Sequence, residues 1–311
     1  MSLHTEPAQP PGSTASSVSP VPALPVLAIV ATVLMWASTF VIMRWASADI
    51  SPGPLALIRL IAGSLTLTVM VLWVRRGRLS IPRGKALGLT VAFGVSWFAL
   101  YTLVLNWAGH YLDAGTVAMV VNFAPLMVGI GAVVLFKEAF SRRLFIGMLV
   151  SLSGIGFITA SGTTGQLAWT GLMIAFAAAV LYAAGMLLQK LVLRDVDPLT
   201  ATWLGCISGA AALLFFLPQT LNEVSDISTG TIIGAIYMGI GPTALGFWFW
   251  GYAMNYFATG RVASATLAVP ALVVLMSALT LGELPPLLAI IGGAICLTGV
   301  ALSQMRPRSR R

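Results

Sequence analysis

Apolar runs about as long as a membrane span recur along the whole chain and are separated by short polar connections. A helix needs about 20 apolar residues to cross roughly 30 Å of hydrocarbon. The pattern predicts ten such helices, over residues 22–46, 52–74, 86–108, 114–136, 143–160, 167–189, 198–217, 230–254, 261–281 and 286–305. The predicted fold class is therefore an all-α integral membrane protein with ten transmembrane helices and no separate soluble domain.

The composition supports a lipid environment and excludes a water-soluble globule. Hydrophobic residues make up 58% of the chain and charged residues 8%, with a mean hydropathy of +0.95, so most of the surface must face lipid. Residues 1–21, rich in Pro, Ser and Thr, are predicted to form a disordered cytoplasmic tail, and 306–311 a basic one. Cys206 and Cys296 lie within apolar runs, so we expect neither a disulfide nor a metal site, and no cofactor.

Apart from Arg44 and Arg59, the basic residues that give the formal charge of +8 lie in or next to every second connection and in the last tail. The alternate connections carry acidic residues instead, namely Asp49, Asp113, Glu223, Asp226 and Glu283. Cytoplasmic connections of membrane proteins are enriched in Lys and Arg. This alternation predicts a multi-pass protein of the cytoplasmic membrane with both termini cytoplasmic. The basic residues are interpreted as orientation signals, with the lipid bilayer as partner and no nucleic acid.

The chain contains an internal repeat. "PLMVGIGAVVLFKE" at 125–138 and "PALVVLMSALTLGE" at 270–283 share a Pro-to-Glu interval, and the register continues on both sides at an offset of 145. The repeat predicts two five-helix units, 22–160 and 167–305. Because five is odd, the second unit must cross the membrane in the opposite sense. Inverted repeats can exchange conformations and expose a central site alternately to the two sides.

These motifs carry a family resemblance. "WASTFV" at 36–41, "PLALIRLIAGS" at 54–64 and the two Pro-to-Glu segments, each followed by a glycine-spaced helix, stand in this order. The sequence resembles the drug/metabolite transporter superfamily, in the ten-helix group built from two EamA domains. The resemblance implies a helix bundle with a central cavity and alternating access that exports small organic metabolites.

Prolines inside three spans are candidate gating or kink positions. Pro125 and Pro270 fall near the middle of the fourth and ninth helices, and Pro242 follows Gly241 in the middle of the eighth. A proline lacks the N–H that would bond the carbonyl four residues earlier, which permits a kink.

Three charged residues near the span borders are given structural roles. Glu138 and Glu283 are interpreted as caps of the helices that follow them, in preference to gating or ion binding. Arg44, two residues from the end of the first helix, is interpreted as an interfacial anchor.

Polar and aromatic residues within the spans are the candidate solute-binding residues, because such groups usually turn towards partners or water. Arg59 either faces inward, to hold a carboxylate or to pair with Asp113, or extends to the outer interface. Trp248 belongs either to an interfacial aromatic belt or to the inner mouth of the cavity. The predicted set is Trp36, Ser38, Thr39, Arg59, Trp97, Tyr101, Asn122, Tyr182 and Trp248.

The favoured function is a carrier, not an enzyme, that exports hydrophobic or aromatic solutes such as amino acids or amphiphilic cations. The chain has no phosphate-binding GxxxxGKS/T loop, and its candidates for proton coupling are Asp113 and His110. The alternative is an integral membrane enzyme acting on a lipid-linked substrate, which would need clustered carboxylates, a metal set or an activated nucleophile. The sequence leaves open whether the protein forms a homodimer.

Overall fold

A computed structural model of the protein describes residues 23–77, 79–137, 142–160, 166–257 and 265–304. This part of the chain is helical, with no strand among the described residues. We number its helices in chain order: α1 Ala23–Ala46, α2 Pro52–Val74, α3 Gly84–Ala108, α4 Ala114–Leu135, α5 Arg142–Ala160, α6 Gln166–Val192, α7 Pro198–Val224, α8 Thr229–Ala253, α9 Thr266–Leu281 and α10 Leu287–Gln304.

The predicted fold class is confirmed. Seven of these helices are long and apolar enough to cross a membrane, and the described apolar stretches of α5, α9 and α10 are shorter. The largest error in the predicted bounds concerns α7, which continues from the predicted end at 217 to Val224. Pro218 does not end the helix, because a 3₁₀ turn over Leu214–Phe216 places it in the first turn of the next helical segment, where its missing N–H costs nothing.

The helix ends follow local chemistry. Asp113 accepts a hydrogen bond from the Thr116 backbone N–H at 2.8 Å and caps α4, and Ser228 accepts one from Thr231 N–H at 3.2 Å and caps α8. Pro52 stands in the first turn of α2, where its fixed φ suits the helix start. These positions explain why the sequence pattern predicted most helix starts closely.

Both halves interrupt their helices at corresponding places. The predicted break at Gly241–Pro242 lies in a π-helical segment, Gly239–Leu245, and α3 has its own, Gly94–Tyr101, beginning 145 residues earlier. α4 is broken between Val121 and Ala124, next to Pro125. α9 begins with a 3₁₀ turn over Thr266–Ala268, next to Pro270. The prolines therefore mark real irregularities, while the π-helical segment of α3 was not predicted.

The two halves join along α5 and α10, one helix from each. Cβ atoms built on Gly154 and Gly299 would lie 2.5 Å from the carbonyl oxygens of Gly292 and Gly147, respectively. The Ser151 hydroxyl donates to the Cys296 carbonyl at 2.8 Å, and these two residues are 145 positions apart. The glycines of α10 are thus close-packing positions, as expected from the sequence.

The halves also exchange contacts around the bundle. Gly94 on α3 lies against the backbone of Gly205 on α7, and Gly239 on α8 lies against the carbonyl of Arg59 on α2. In both places a Cβ would collide with backbone of the other half, so glycine permits the approach. As a result α2 and α8 are held together at the level of Arg59, which fixes that side chain in the middle of the molecule.

Candidate solute-binding site

A cavity lies at the centre of the bundle and is lined by both halves. The space between atoms there, with the open solvent at its mouth included, is about 760 Å³. Its walls come from α1, α2, α3, α4, α6, α8 and α9, through Trp36, Thr39, Phe40, Arg59, Trp97, Tyr101, Leu105, Val121, Asn122, Pro125, Tyr182, Pro242, Phe247, Thr266 and Val269.

Most of the residues predicted from the sequence meet in this cavity. They include two of the three prolines and most of the predicted solute-binding residues. These are Trp36, Thr39, Arg59, Trp97, Tyr101, Asn122, Pro125, Tyr182 and Pro242. The structure therefore brings them together in one place, and their roles in binding or gating remain predictions.

Three predicted residues do not line the cavity. Ser38 is bonded to the Met35 carbonyl at 2.8 Å and to the Tyr237 hydroxyl at 2.9 Å, because it turns towards α8. Trp248, 39% exposed, lies in a surface recess beside α1, so the interfacial-belt interpretation is favoured over the cavity mouth. Pro270 is buried, and its neighbour Val269 provides the lining surface instead.

Aromatic rings form one wall of the cavity. The ring centroids of Trp97 and Tyr182 are 4.6 Å apart, and those of Tyr101 and Tyr182 are 5.5 Å apart with an edge-to-face angle of 82°. The ring centroid of Phe247 lies 6.3 Å from that of Trp97 and 5.6 Å from that of Trp36. Such contacts fix ring positions and leave an apolar surface of aromatic rings suited to an apolar or aromatic group.

Trp36 meets the requirement that a buried indole N–H finds an acceptor. Its Nε1 donates to the Pro242 carbonyl at 3.1 Å, within the π-helical segment of α8. The bond joins α1 of the first half to the irregular part of α8 in the second half. It therefore couples the position of a cavity ring to the shape of a helix break.

Arg59 faces the cavity and is not an interfacial anchor. Its Nε donates to the Thr243 hydroxyl at 3.1 Å, and that hydroxyl donates to the Met238 carbonyl at 2.9 Å. The Nη1 atom is buried and has no hydrogen-bond partner among the described residues. The predicted alternative pairing with Asp113 is wrong, because that carboxylate accepts from both the backbone N–H and the hydroxyl of Thr116 at the start of α4.

Several lining residues were not singled out from the sequence. Phe247 stands next to Trp248, and at 3.6 residues per turn adjacent helical residues face different directions, so the wrong residue of the aromatic run was chosen. The repeat held a usable signal for Thr266, which corresponds to Val121 at the offset of 145, and both line the cavity. Leu105 and Val269 have no distinguishing chemistry in the sequence.

An ion pair lies one helical turn beyond the cavity. The Arg44 Nη2 atom lies 2.9 Å from Glu283 Oε1, its Nε donates to both carboxylate oxygens at 3.0 and 3.2 Å, and its Nη1 donates to the Gly109 carbonyl at 3.0 Å. The anchor role for Arg44 is therefore wrong, and Glu283 is paired with it. Glu138, the other predicted cap, lies outside the described residues. We call this pair, with the Gly109 carbonyl, the Arg44–Glu283 latch.

His110 is a titratable group next to the latch. Burial, with a further contribution from the positive charge of Arg44, holds the pKa of His110 below its usual value despite the opposing charge of Glu223. Its Nε2 atom is buried without a hydrogen-bond partner among the described residues. Protonation would place a second positive charge beside Arg44, so the neutral imidazole is favoured.

The C-terminal end of α2 is bonded to the start of α7. Arg75 Nη2 forms an ion pair with Asp197 and donates to the Thr200 hydroxyl at 2.8 Å. Partial burial alone would raise the pKa of Asp197, but the hydrogen bonds from Arg75 and Thr200 outweigh it and hold that pKa below its usual value. This pair lies on the membrane face opposite to the latch.

A membrane helix bundle whose two halves line one central cavity has the architecture of a secondary transporter. The chain belongs to the EamA-like transporter family, whose model matches residues 23–160 and again 169–305. The two matches correspond to the two halves that meet around the cavity.

Named relatives and a solved structure are consistent with this assignment. A probable terminal-alkyne amino-acid exporter of Streptantibioticus cattleyicolor is 29% identical over 91% of this chain and 94% of its own. A probable amino-acid metabolite efflux pump of Salmonella typhimurium is 26% identical over 90% and 94%. One solved crystal structure is 18% identical, covers 90% of this chain and 96% of its own, and matches with a TM-score of 0.64, which shows the same fold.

Proposed function

We propose that the protein is an alternating-access carrier that exports small organic solutes of the amino-acid type across the cytoplasmic membrane. The observation that carries the proposal is the central cavity, which residues of both halves line. In carriers built from inverted repeats, solute sites lie at the interface of the repeats near the membrane middle. The names of the relatives favour an amino-acid or related metabolite as solute.

The helix breaks supply places where the two halves can move. π-helical segments, 3₁₀ turns and prolines weaken the regular hydrogen bonding of a helix, and such irregular backbone is tolerated in a membrane where it borders a cavity. The breaks near Pro125 and Pro242 both border this cavity. We infer that they are hinges for the exchange between forms open to either side.

The latch would close the cavity on one face. On α1 it lies one turn beyond the lining residue Phe40, and on α3 the Gly109 carbonyl lies one turn beyond the lining residue Leu105. The charge pattern of the connections favours an outside position for this face, with both termini cytoplasmic. The latch joins α1 and the end of α3 to the end of α9 in the second half, so opening outward requires its separation.

Exchange in proteoliposomes tests the proposal. Vesicles containing the purified protein are loaded with labelled amino acids, and efflux is followed with and without unlabelled solute outside and with and without a pH gradient. A carrier gives saturable efflux that outside solute accelerates, whereas a channel gives no such acceleration. Efflux that neither saturates nor depends on the protein for any solute would overturn the proposal.

A cavity-filling variant ties the efflux to this site. Val121 is 3% exposed and lines the cavity on α4, whereas Val134 on the same helix is 69% exposed. Val121→Trp should abolish efflux, because the added ring occupies the solute space. Val134→Trp adds the same ring at an exposed position of the same helix and should leave efflux unchanged.

A further inference from the structure

We propose that the cavity selects solutes that carry a carboxylate on an apolar or aromatic body, with Arg59 as the residue that recognises the carboxylate. The inference rests on the proposed function, since it assigns the solute class of the same cavity. It narrows the sequence-based expectation, which admitted amphiphilic cations as well as amino acids. The residue that decides between these classes is the one charged group in the described cavity wall.

The hydrogen bonding of Arg59 leaves part of its guanidinium without a partner. Thr243 accepts only from Nε, at 3.1 Å. Because the Thr243 hydroxyl donates its own hydrogen to the Met238 carbonyl, it can only accept from Arg59 and so fixes the orientation of the group. Nη1 has no partner among the described residues. Arg59 thus lines the cavity, is oriented by one neutral partner and keeps its buried Nη1 atom without a hydrogen bond among the described residues.

The energetics favour an anion as the missing partner. An unpaired charge inside a protein is costly unless an opposite charge or hydrogen bonds compensate for it. The fixed fork of a guanidinium matches the two oxygens of a carboxylate, and such charge-assisted bonds are about twice as strong as neutral ones. In the described lining, the residues that surround Arg59 are neutral at pH 7, so they provide the group with no counter-ion.

The same charge disfavours cations. A positively charged solute would share the cavity with Arg59, and the described lining offers no carboxylate to offset the repulsion. The aromatic wall of Trp97, Tyr101 and Tyr182 then accepts the apolar body of the solute. The site thereby combines one carboxylate contact with one aromatic, apolar wall.

Binding of a matched series of small aromatic probes tests the inference. Phenylacetate, phenylacetamide and phenethylamine share a benzyl group and carry negative, zero and positive charge. Their affinities for the purified protein are measured by isothermal titration calorimetry at pH 7. We expect phenylacetate to bind about 10- to 150-fold more tightly than phenylacetamide, as for hydrogen bonds to a charged group, and phenethylamine to bind least.

Variants separate recognition from folding. Arg59→Gln should remove the preference for phenylacetate over phenylacetamide while leaving phenylacetamide binding within about threefold. Arg59→Lys should keep part of the preference, because it keeps the charge and loses the fork. Thr243→Val removes the contact that orients Arg59, together with the hydroxyl bond to the Met238 carbonyl, and should weaken phenylacetate alone.

Equal binding of the three probes by the wild-type protein would overturn the inference, as would an unchanged probe preference in Arg59→Gln. Either result would leave the proposed function intact if efflux of other solutes is saturable. If Arg59→Gln fails to fold, Arg59→Lys and Thr243→Val still test the inference. An unchanged preference for phenylacetate over phenylacetamide in both variants would overturn the assignment of Arg59 as the residue that recognises the carboxylate.

Discussion

Breaking the Arg44–Glu283 latch should shift the protein towards a form open on the latch face. Glu283→Gln keeps the size of the side chain and removes the charge that Arg44 Nε and Nη2 contact at 2.9–3.2 Å. Arg44 would retain its bond to the Gly109 carbonyl. The substitution therefore loosens the tie between α1 and α9 without removing a cavity residue.

The structure sets the expected magnitude. The Arg44 and Glu283 side chains are 30% and 29% exposed, so the pair is intermediate between an exposed and a buried salt bridge. Exposed pairs contribute about 0.2–1 kcal/mol, and disruption of a buried pair costs about 3–5 kcal/mol. We take about 1–2 kcal/mol for this bifurcated contact. At about 1.4 kcal/mol per tenfold, the ratio of the open to the closed form should rise about 5- to 30-fold.

Labelling of a cavity cysteine measures this shift. Thr39→Cys, in a background that lacks the buried Cys206 and Cys296, is treated with a membrane-impermeant thiol reagent from outside intact cells. Glu283→Gln should speed its labelling by the same factor. Asp197→Asn breaks the Arg75 pair at the opposite face and should not. Unchanged labelling in Glu283→Gln, or equal acceleration by Asp197→Asn, would refute the latch.

Two further predictions concern packing and pH. Gly154→Ala should destabilise the protein by about 1–3 kcal/mol in thermal unfolding, because its Cβ would lie 2.5 Å from backbone atoms of α10. Gly156→Ala, with nothing within 4 Å of its Cβ, is the matched control, and equal effects would contradict the close packing. Because the lowered pKa of His110 favours its neutral form, latch closure should persist above about pH 6.5 and weaken as the pH falls through that lowered pKa. Labelling of Thr39→Cys should then rise in acid, and a rise that persists in His110→Gln would contradict this assignment.

The fold was largely predictable because each element has a local cause in the sequence. Apolar runs of membrane length define the helices, and the residues that begin them, such as Asp113 and Pro52, are typical starting residues. The π-helical segment Gly94–Tyr101 was missed because it contains no proline or other local signal. Comparison with the break at Gly241–Pro242 in the second half would have located it, since the two segments occupy corresponding positions.

The candidate site was predictable only in part. The residues with distinctive chemistry, such as Trp36, Arg59 and Trp97, were found because intramembrane polar and aromatic groups are few. The latch was not found, since Arg44 and Glu283 are 239 residues apart and belong to different halves. Ser38 was placed wrongly because the motif that contains it does not reveal which side of α1 faces Tyr237.

The central claim is that two oppositely oriented halves enclose one solute cavity. Single cysteines at Ala48 and Arg194 test it most directly, because both positions are exposed, follow the first helix of their halves and are 146 residues apart. An impermeant thiol reagent applied to intact cells should label Ala48→Cys and leave Arg194→Cys unlabelled until the membrane is permeabilised. Labelling of both positions from the same side would contradict the inverted arrangement and the carrier mechanism built on it.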